Sequence, residues 1–239
     1  MINQKSIKDI KKLGIKIDHD MAFGGKSKGN KHLSRAVKIA RFLAFKAKAN
    51  IKIVESGAWL HDTALPTGDD YNYDKNKKIV MKLLSSINIS KSDQILIAEC
   101  VASHEGREDP KTLEAKIVHD ADVIEKLGIL GIIRHTWKLT NLNEINSEMI
   151  TDDDVKKVLS HINWRNKRLQ TRLAKKIGKY LNIKVSKNEA KNIISVTSKL
   201  AFNGVTTEKI ARVLHRSLNN KNKEMLEEQL KLSYLNKFT

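Results

Sequence analysis

The stretch TLEAKIVHDADVIEKLGILGI, Thr112 to Ile132, decides how this chain is read. Ile117, Val118, Ala121 and Ile124 recur at helical spacing, so the segment reads as an apolar helix. The helix is expected to start at Pro110, to be interrupted near Asp120, and to end at Leu127. A further apolar helix is expected from Gly128 to Leu139. Asp120 and Asp122 lie among these apolar positions, where an ionised carboxylate costs free energy unless a partner satisfies it. Capping or solvating a helix start is the bland account of the two acids, and their apolar neighbours weigh against it.

A second misplaced polar pair lies upstream. His61 and Asp62 close an apolar segment, Val54 to His61, directly after Ala58, Trp59 and Leu60. Burial is costly there too unless a metal or hydrogen bonds satisfy both groups. His32 opens an amphipathic helix whose face is Ala36, Ile39, Ala40 and Leu43, and His104 ends another that runs to Ser103 from a capping pair, Ser90 and Asp93. Imidazoles and carboxylates drawn from four helices suit one divalent first-row ion such as Mn, Fe, Co, Ni or Zn. They do not offer the all-oxygen cage of calcium.

The remaining chain is helical in pattern. Two prolines and 11 glycines in 239 residues leave long uninterrupted stretches, and alternating strand patterns are scarce. A polar run from Thr140 to Asp154 marks a boundary, with Asp152 to Asp154 suited to the positive end of a new helix. Apolar positions Val155, Val158, Leu159 and Ile162, then Leu169, Leu173, Ile177 and Leu181, continue the helical period. Arg165, Lys167, Arg168, Arg172, Lys175, Lys176 and Lys179 lie between them and read either as a solvated face or as a groove that follows a nucleic-acid backbone; without aromatic interleaving the solvated face is favoured. Further helices are expected near Lys187 to Leu200 and Thr207 to Leu218, followed by a charged tail.

Composition sets outer bounds. With 40% apolar and 30% charged residues, this is the balance of a soluble globular protein. No run approaches the roughly 20 apolar residues of a bilayer span, and the polar N-terminus lacks a secretory core. A cytoplasmic location and no membrane partner are expected. Cys100 is the only cysteine, which excludes an intrachain disulfide and a thiolate zinc site, and it reads as an inert core residue. A formal charge of +18 favours anionic partners, either phosphorylated metabolites or nucleic acid.

The segments HLSRAVKIA (32–40), GAWLHDTAL (57–65), IAECVASHEG (97–106) and Thr112 to Ile132 together resemble the HD-domain superfamily of metal-dependent phosphohydrolases. The resemblance spans His32 to Trp137. It implies an all-α HD-domain helical bundle with an additional C-terminal helical region, divided as residues 1–148 for the phosphohydrolase domain and 149–239 for a basic accessory region. It also implies His32, His61, Asp62 and Asp122 as metal ligands. Asp122 is preferred over Asp120 because the family's last ligand usually follows an alanine, and Asp120 would then orient a ligand or water from behind. Members with two or more metals carry another histidine shortly after the doublet. Asp69 to Lys78 contains none, so one divalent ion is expected, drawn from Mn, Ni, Co, Fe, Mg and Zn.

The expected chemistry is hydrolysis of a phosphate ester or anhydride, in a nucleotide or a related small metabolite, by metal-activated water. Asp62 would orient or deprotonate that water, and His104 would contact the phosphate or assist the leaving group. Arg35, Arg107 and Lys126 are the candidate substrate cations, with Lys38 beside them. The expected partners are a small phosphorylated substrate, with nucleic acid and a second copy of the chain as further candidates. The competing function is a nucleic-acid-binding or RNA-processing HD protein whose C-terminal helices supply affinity. A regulatory module with a degenerate site would not need an intact ligand set.

Overall fold

The computed structural model describes residues 2–105, 108–182 and 185–239, and among these all regular structure is helical. Two compact units are formed. The first comprises Met1–Asp122 with Gln170–Ala174, and the second Val123–Leu169 with Lys175–Thr239. Compactness therefore divides the chain inside a helix, at Asp122, and not in the polar run where the sequence change lies.

The first unit is built around an apolar centre. Helices α1 (Gln4–Asp20), α2 (His32–Ala47) and α5 (Lys91–Ala102) all pack on α3 (Ile51–Leu60), and α4 (Tyr73–Leu84) packs on α5. Helix α3 buries Ile53, Val54, Ser56, Gly57, Ala58, Trp59 and Leu60, which is burial nearly all round and the mark of a core helix. Two glycines permit this density. A Cβ on Gly14 would fall 2.0 Å from the Trp59 carbonyl oxygen, and one on Gly57 would fall 2.7 Å from Cys100 Cβ. Cys100 is fully buried, and burial pushes its thiol pKa up.

Short polar side chains start these helices. Asn3 accepts from the Ser6 amide, Asn50 from Lys52 and Ile53, Asn72 from Lys75, and Ser90 from Asp93. Each supplies an acceptor to amides that have no partner within the helix. Helix α6 (Leu113–Glu125) follows. It runs without a break through Asp120, where the sequence led us to expect one. The acids do not interrupt it because each finds its partners from within helical geometry.

In the second unit, α7 (Gly128–Asn141) is central. Helices α8 (Asp152–Lys167), α10 (Lys187–Phe202), α11 (Thr207–His215) and α12 (Asn220–Lys231) pack on it, and α9 (Arg172–Leu181) precedes α10. Asp152 to Asp154 do open α8, with Thr151 and Asp154 forming a reciprocal capping box. Gln229 of α12 accepts from the Leu130 amide and donates to the Leu127 carbonyl, so one side chain fixes the start of α7. On the α8 and α9 face Lys167, Arg172, Lys175, Lys176 and Lys179 are exposed, as a solvated face requires. Arg165 is an exception at 2% exposure, its Nε donating to His161 Nε2 at 3.1 Å. No described helix is long and apolar enough to cross a membrane.

Candidate metal centre

His32 is the first residue of α2, His61 caps the end of α3, Asp62 begins the turn beyond it, and Asp122 lies on α6. Four donor atoms from these residues meet in the buried first unit. His32 Nε2 lies 2.9 Å from His61 Nε2. Asp62 Oδ2 lies 3.2 Å from His32 Nε2 and 3.3 Å from His61 Nε2, and Asp122 Oδ1 lies 3.4 Å from both nitrogens. Ligands about 2.1 Å from a common ion sit about 3.0–3.5 Å apart, so these separations are those of one coordination sphere.

Local bonds aim the donors. His61 Nδ1 donates to the Ala58 carbonyl at 2.8 Å, which leaves Nε2 facing the centre. The Thr63 hydroxyl donates to the Leu60 carbonyl at 2.8 Å, tightening the turn that carries Asp62. Electrostatically the cluster demands positive charge. Burial opposes a charge on His61, yet the Asp62 and Asp122 carboxylates raise its pKa well above the usual imidazole value. Burial likewise raises Asp62, but His61 and the hydrogen bond from His32 more than reverse it and hold its carboxyl well below the carboxylate range. A divalent cation supplies this positive charge to the same four atoms, so the residues fit a metal.

Asp120 faces elsewhere. Its two oxygens accept the backbone amides of Gln170 at 2.7 Å and Thr171 at 2.8 Å, just ahead of α9. Both oxygens thus hold backbone, and Asp120 acts as a cap on that segment; neither bond reaches a metal donor. His104 follows α5 and is fully buried. Its Nδ1 donates to the Val101 carbonyl at 2.7 Å, and burial pulls its pKa down to about 4. Its carbonyl in turn accepts from His119 Nδ1 at 2.6 Å, a structural bond for His119.

The candidate substrate cations are less convergent. Arg35 lies one turn beyond His32 on α2 and is buried, whereas Lys38 is exposed. Lys126 is half-buried and belongs to the second unit. Arg107 lies outside the described residues.

Three acids near the doublet were missed in the sequence. Asp18 of α1 is buried, and its pKa is raised by burial and by Asp62. Asp70 and Glu105 are buried with oxygens 3.7 Å from His104 Nε2. Asp70 and Glu105 lie outside the helices and left no signal, since loop acids are ordinarily solvated.

Comparison with known proteins gives a consistent picture. An HD-domain family model matches residues 30–127. Among solved structures, a protein of Lactobacillus plantarum superposes with a TM-score of 0.58 at 22% identity, covering 76% of this chain and 92% of that one. Bacillus subtilis YpgQ, solved in complex with ADP, superposes at 0.55 with 19% identity, covering 73% and 89%. An HD-superfamily hydrolase of Bacillus thuringiensis superposes at 0.55 with 20% identity, covering 80% and 94%. No curated protein sequence matches the chain.

Proposed function

From the premise that residues 30–127 are an HD domain, the domain of a superfamily of metal-dependent phosphohydrolases, we propose that this chain hydrolyses a phosphate ester or anhydride of a nucleotide. The observation that carries the reading is that the Nε2 atoms of His32 and His61, 2.9 Å apart in the protein interior, each lie 3.2–3.4 Å from an oxygen of Asp62 and an oxygen of Asp122. In this reading these four residues hold a divalent ion. A bound divalent ion lowers the pKa of a coordinated water and polarises a phosphoryl oxygen.

The chain's own residues do the rest. Asp62 orients the attacking water and takes its proton, being held ionised by its histidine neighbours. His104, neutral near pH 7, offers the Nε2 lone pair to the same space, because its Nδ1 proton is committed to Val101. Arg35 stands nearest in sequence to the ligand helix start and serves as the first cation for the phosphate. The charge of +18 draws anionic substrates toward the chain. The ADP bound by the Bacillus subtilis neighbour supports the choice of a nucleotide. The basic helices of residues 149–239 are read as an accessory region to this chemistry, in a cytoplasmic protein.

The test is a turnover screen with Mn²⁺, Ni²⁺, Co²⁺ and Mg²⁺ against phosphomonoesters, nucleoside mono-, di- and triphosphates and short RNAs. Asp62→Ala and Asp122→Ala should each abolish turnover of the preferred nucleotide. Turnover unchanged in both variants would sink the reading, and turnover of RNA alone would replace the substrate class.

A further inference from the structure

Between α1 and α2 runs a segment that the chemistry above does not use, Ala22 to Gly29, AFGGKSKG. It ends where the HD match begins, at residue 30. Both of its ends stand at the metal centre. Asp18, four residues before it, feels the charges of Asp62, His32 and His61, and His32 itself follows three residues after it. Its first turn, Ala22–Gly25, packs on the turn Leu65–Thr67, which follows the His61-Asp62 doublet. The segment is thus tied to the ligand set at three places within the first unit.

Its shape is imposed by the fold. Ala22 is fully buried and Ser27 is buried, so the segment is anchored at two points. Successive turns close it: the amide of Gly24 donates to the Met21 carbonyl at 3.2 Å, that of Lys26 to Phe23 at 3.3 Å, and that of Asn30 to Ser27 at 2.9 Å. Phe23, Gly24 and Gly25 are left-handed, with φ of 51°, 62° and 82°. Glycine adopts this conformation freely, but for a bulky side chain such as Phe23 it is strained and persists only where the surroundings impose it. Strain of this kind collects at ligand-binding segments.

The consequence is a fixed presentation of charge. Lys26 and Lys28 are exposed on either side of buried Ser27. Neither ammonium has an acidic partner among the described residues. Asp20, exposed at the end of α1, offsets only part of this charge. The four residues from Lys28 to His32 span at most about 14 Å, so the charge stands close to the centre without being a ligand in it. We infer that Ala22 to Gly29 is a polyphosphate-binding arm of the site, in which Lys26 and Lys28 take the phosphate groups that are not under attack. The chain then prefers nucleoside triphosphates to monophosphates. The inference rests on the proposed function and narrows its substrate class. Arg35, buried beside the ligand histidine's helix start, serves the phosphate at the metal, and the lysines serve those farther out. An ammonium on a flexible stem is a compact point charge, suited to a phosphate tail whose shape varies, whereas the arginine fork demands one geometry.

The test compares the wild type with Lys26→Ala/Lys28→Ala, with Lys26→Arg/Lys28→Arg, and with Lys5→Ala/Lys8→Ala, which removes the same charge from the start of α1. Steady-state kinetics with Mn²⁺ are measured on a nucleoside triphosphate and its monophosphate. Calorimetry measures binding of a triphosphate whose bridging oxygens are replaced by methylene groups. In Lys26→Ala/Lys28→Ala the triphosphate KM and the analogue Kd should rise about tenfold or more, with kcat within about twofold and the monophosphate KM within about threefold. The arginine variant should keep most of the wild-type preference. Lys5→Ala/Lys8→Ala should stay within about threefold of wild type, since it loses only long-range field. Equal shifts for tri- and monophosphate, or equal shifts in the two alanine proteins, overturn the arm and leave the proposed function standing. So does a wild type that favours the monophosphate. Analogue binding that only the Lys26→Ala/Lys28→Ala protein loses, with no nucleotide turned over by the wild type, keeps the arm and overturns the proposed function. Absence of both binding and turnover in the wild type overturns both. Both lysines are exposed, so the variants retain the fold, and circular dichroism checks it.

Discussion

Asp120 and Asp122 stand two positions apart on α6, and their carboxylates serve different ends. Asp122 Oδ1 lies 3.4 Å from His32 Nε2 and from His61 Nε2, while Asp120 accepts the amides of Gln170 and Thr171. Helical residues two positions apart are rotated by about 200°, so an Asp-Ala-Asp run cannot aim both acids at one ion. Asp122→Asn should therefore remove high-affinity metal binding with little change in the melting temperature of the chelator-treated protein. Calorimetric titration with Mn²⁺ checks it, and wild-type affinity in the variant would rule Asp122 out as a ligand.

Asp120→Ala should do the reverse. It leaves two amides without an acceptor, at about 1–3 kcal/mol each, and removes a negative charge from the start of α9. For a chain of this size that is a fall in melting temperature of about 5 °C or more. Mn²⁺ affinity measured well below the melting point should stay within about threefold of wild type. A large loss of affinity at unchanged stability would contradict the capping role.

Much of this was legible in the sequence, and the reasons differ from residue to residue. The helices could be read because their apolar spacing is strong. The doublet and Asp122 stood out because they are polar where the pattern demands apolar side chains. Asp70 and Glu105 left no such trace, since an acid in a turn is unremarkable until the chain folds it under cover. Arg165 looked like one more cation on a solvated face, and its burial against His161 depends on where α8 packs on α7. Continuity of α6 through Asp120 was equally hidden, because the amides that stabilise that acid lie 50 residues away in sequence.

Metal stabilisation should grow with pH. The pKa of His61 is raised in the fold, so its contribution is present below the unfolded value of about 6.5 and is lost as pH rises through the folded value. Asp62 is depressed, so its contribution is present above about 3.9 and is lost as pH falls through its folded value. The metal-free centre is thus best satisfied in mildly acidic solution, by a proton. A divalent ion must displace that proton, and does so more readily as pH rises. The gain in melting temperature on adding Mn²⁺ should increase between about pH 6 and about pH 8.5. A gain that is flat or falls with pH would mean that the ion binds elsewhere.

The metal-free protein should also be acid-sensitive through its buried histidines. His104 is pulled down to about 4 by burial, and His135 to about 2 by burial and by His161 beside it. A depressed imidazole contributes stability above about 6.5 that is lost as pH falls toward its folded value. At about pH 5 the loss from His104 alone approaches 2 kcal/mol. Urea unfolding in chelator at about pH 7 and about pH 5 measures it. The His104→Gln variant should lose less stability than wild type over that interval, with His135 accounting for much of the remainder. Equal losses in the two proteins would show that His104 is protonated in the fold.

Gly14 connects packing to the site. A Cβ there would lie 2.0 Å from the Trp59 carbonyl oxygen and 3.0 Å from its carbon, a backbone contact that no rotamer change relieves. Accommodating Gly14→Ala requires α1 and α3 to part, at an overpacking cost of about 1–3 kcal/mol. Trp59 is two residues before His61, so the shift bears on the turn that positions His61 and Asp62, and on Asp18 near the end of α1. Gly14→Ala should lower both the melting temperature and the affinity for Mn²⁺, whereas Gly204→Ala, at a position with open space around it, should leave the affinity intact although its φ of +74° strains any side chain. Chemical denaturation gives the stability change, and Mn²⁺ titration at a temperature where each variant is fully folded gives the affinity. If Gly14→Ala proved destabilised but bound Mn²⁺ as tightly as wild type, the α1–α3 contact would be a packing feature with no hold on the ligands.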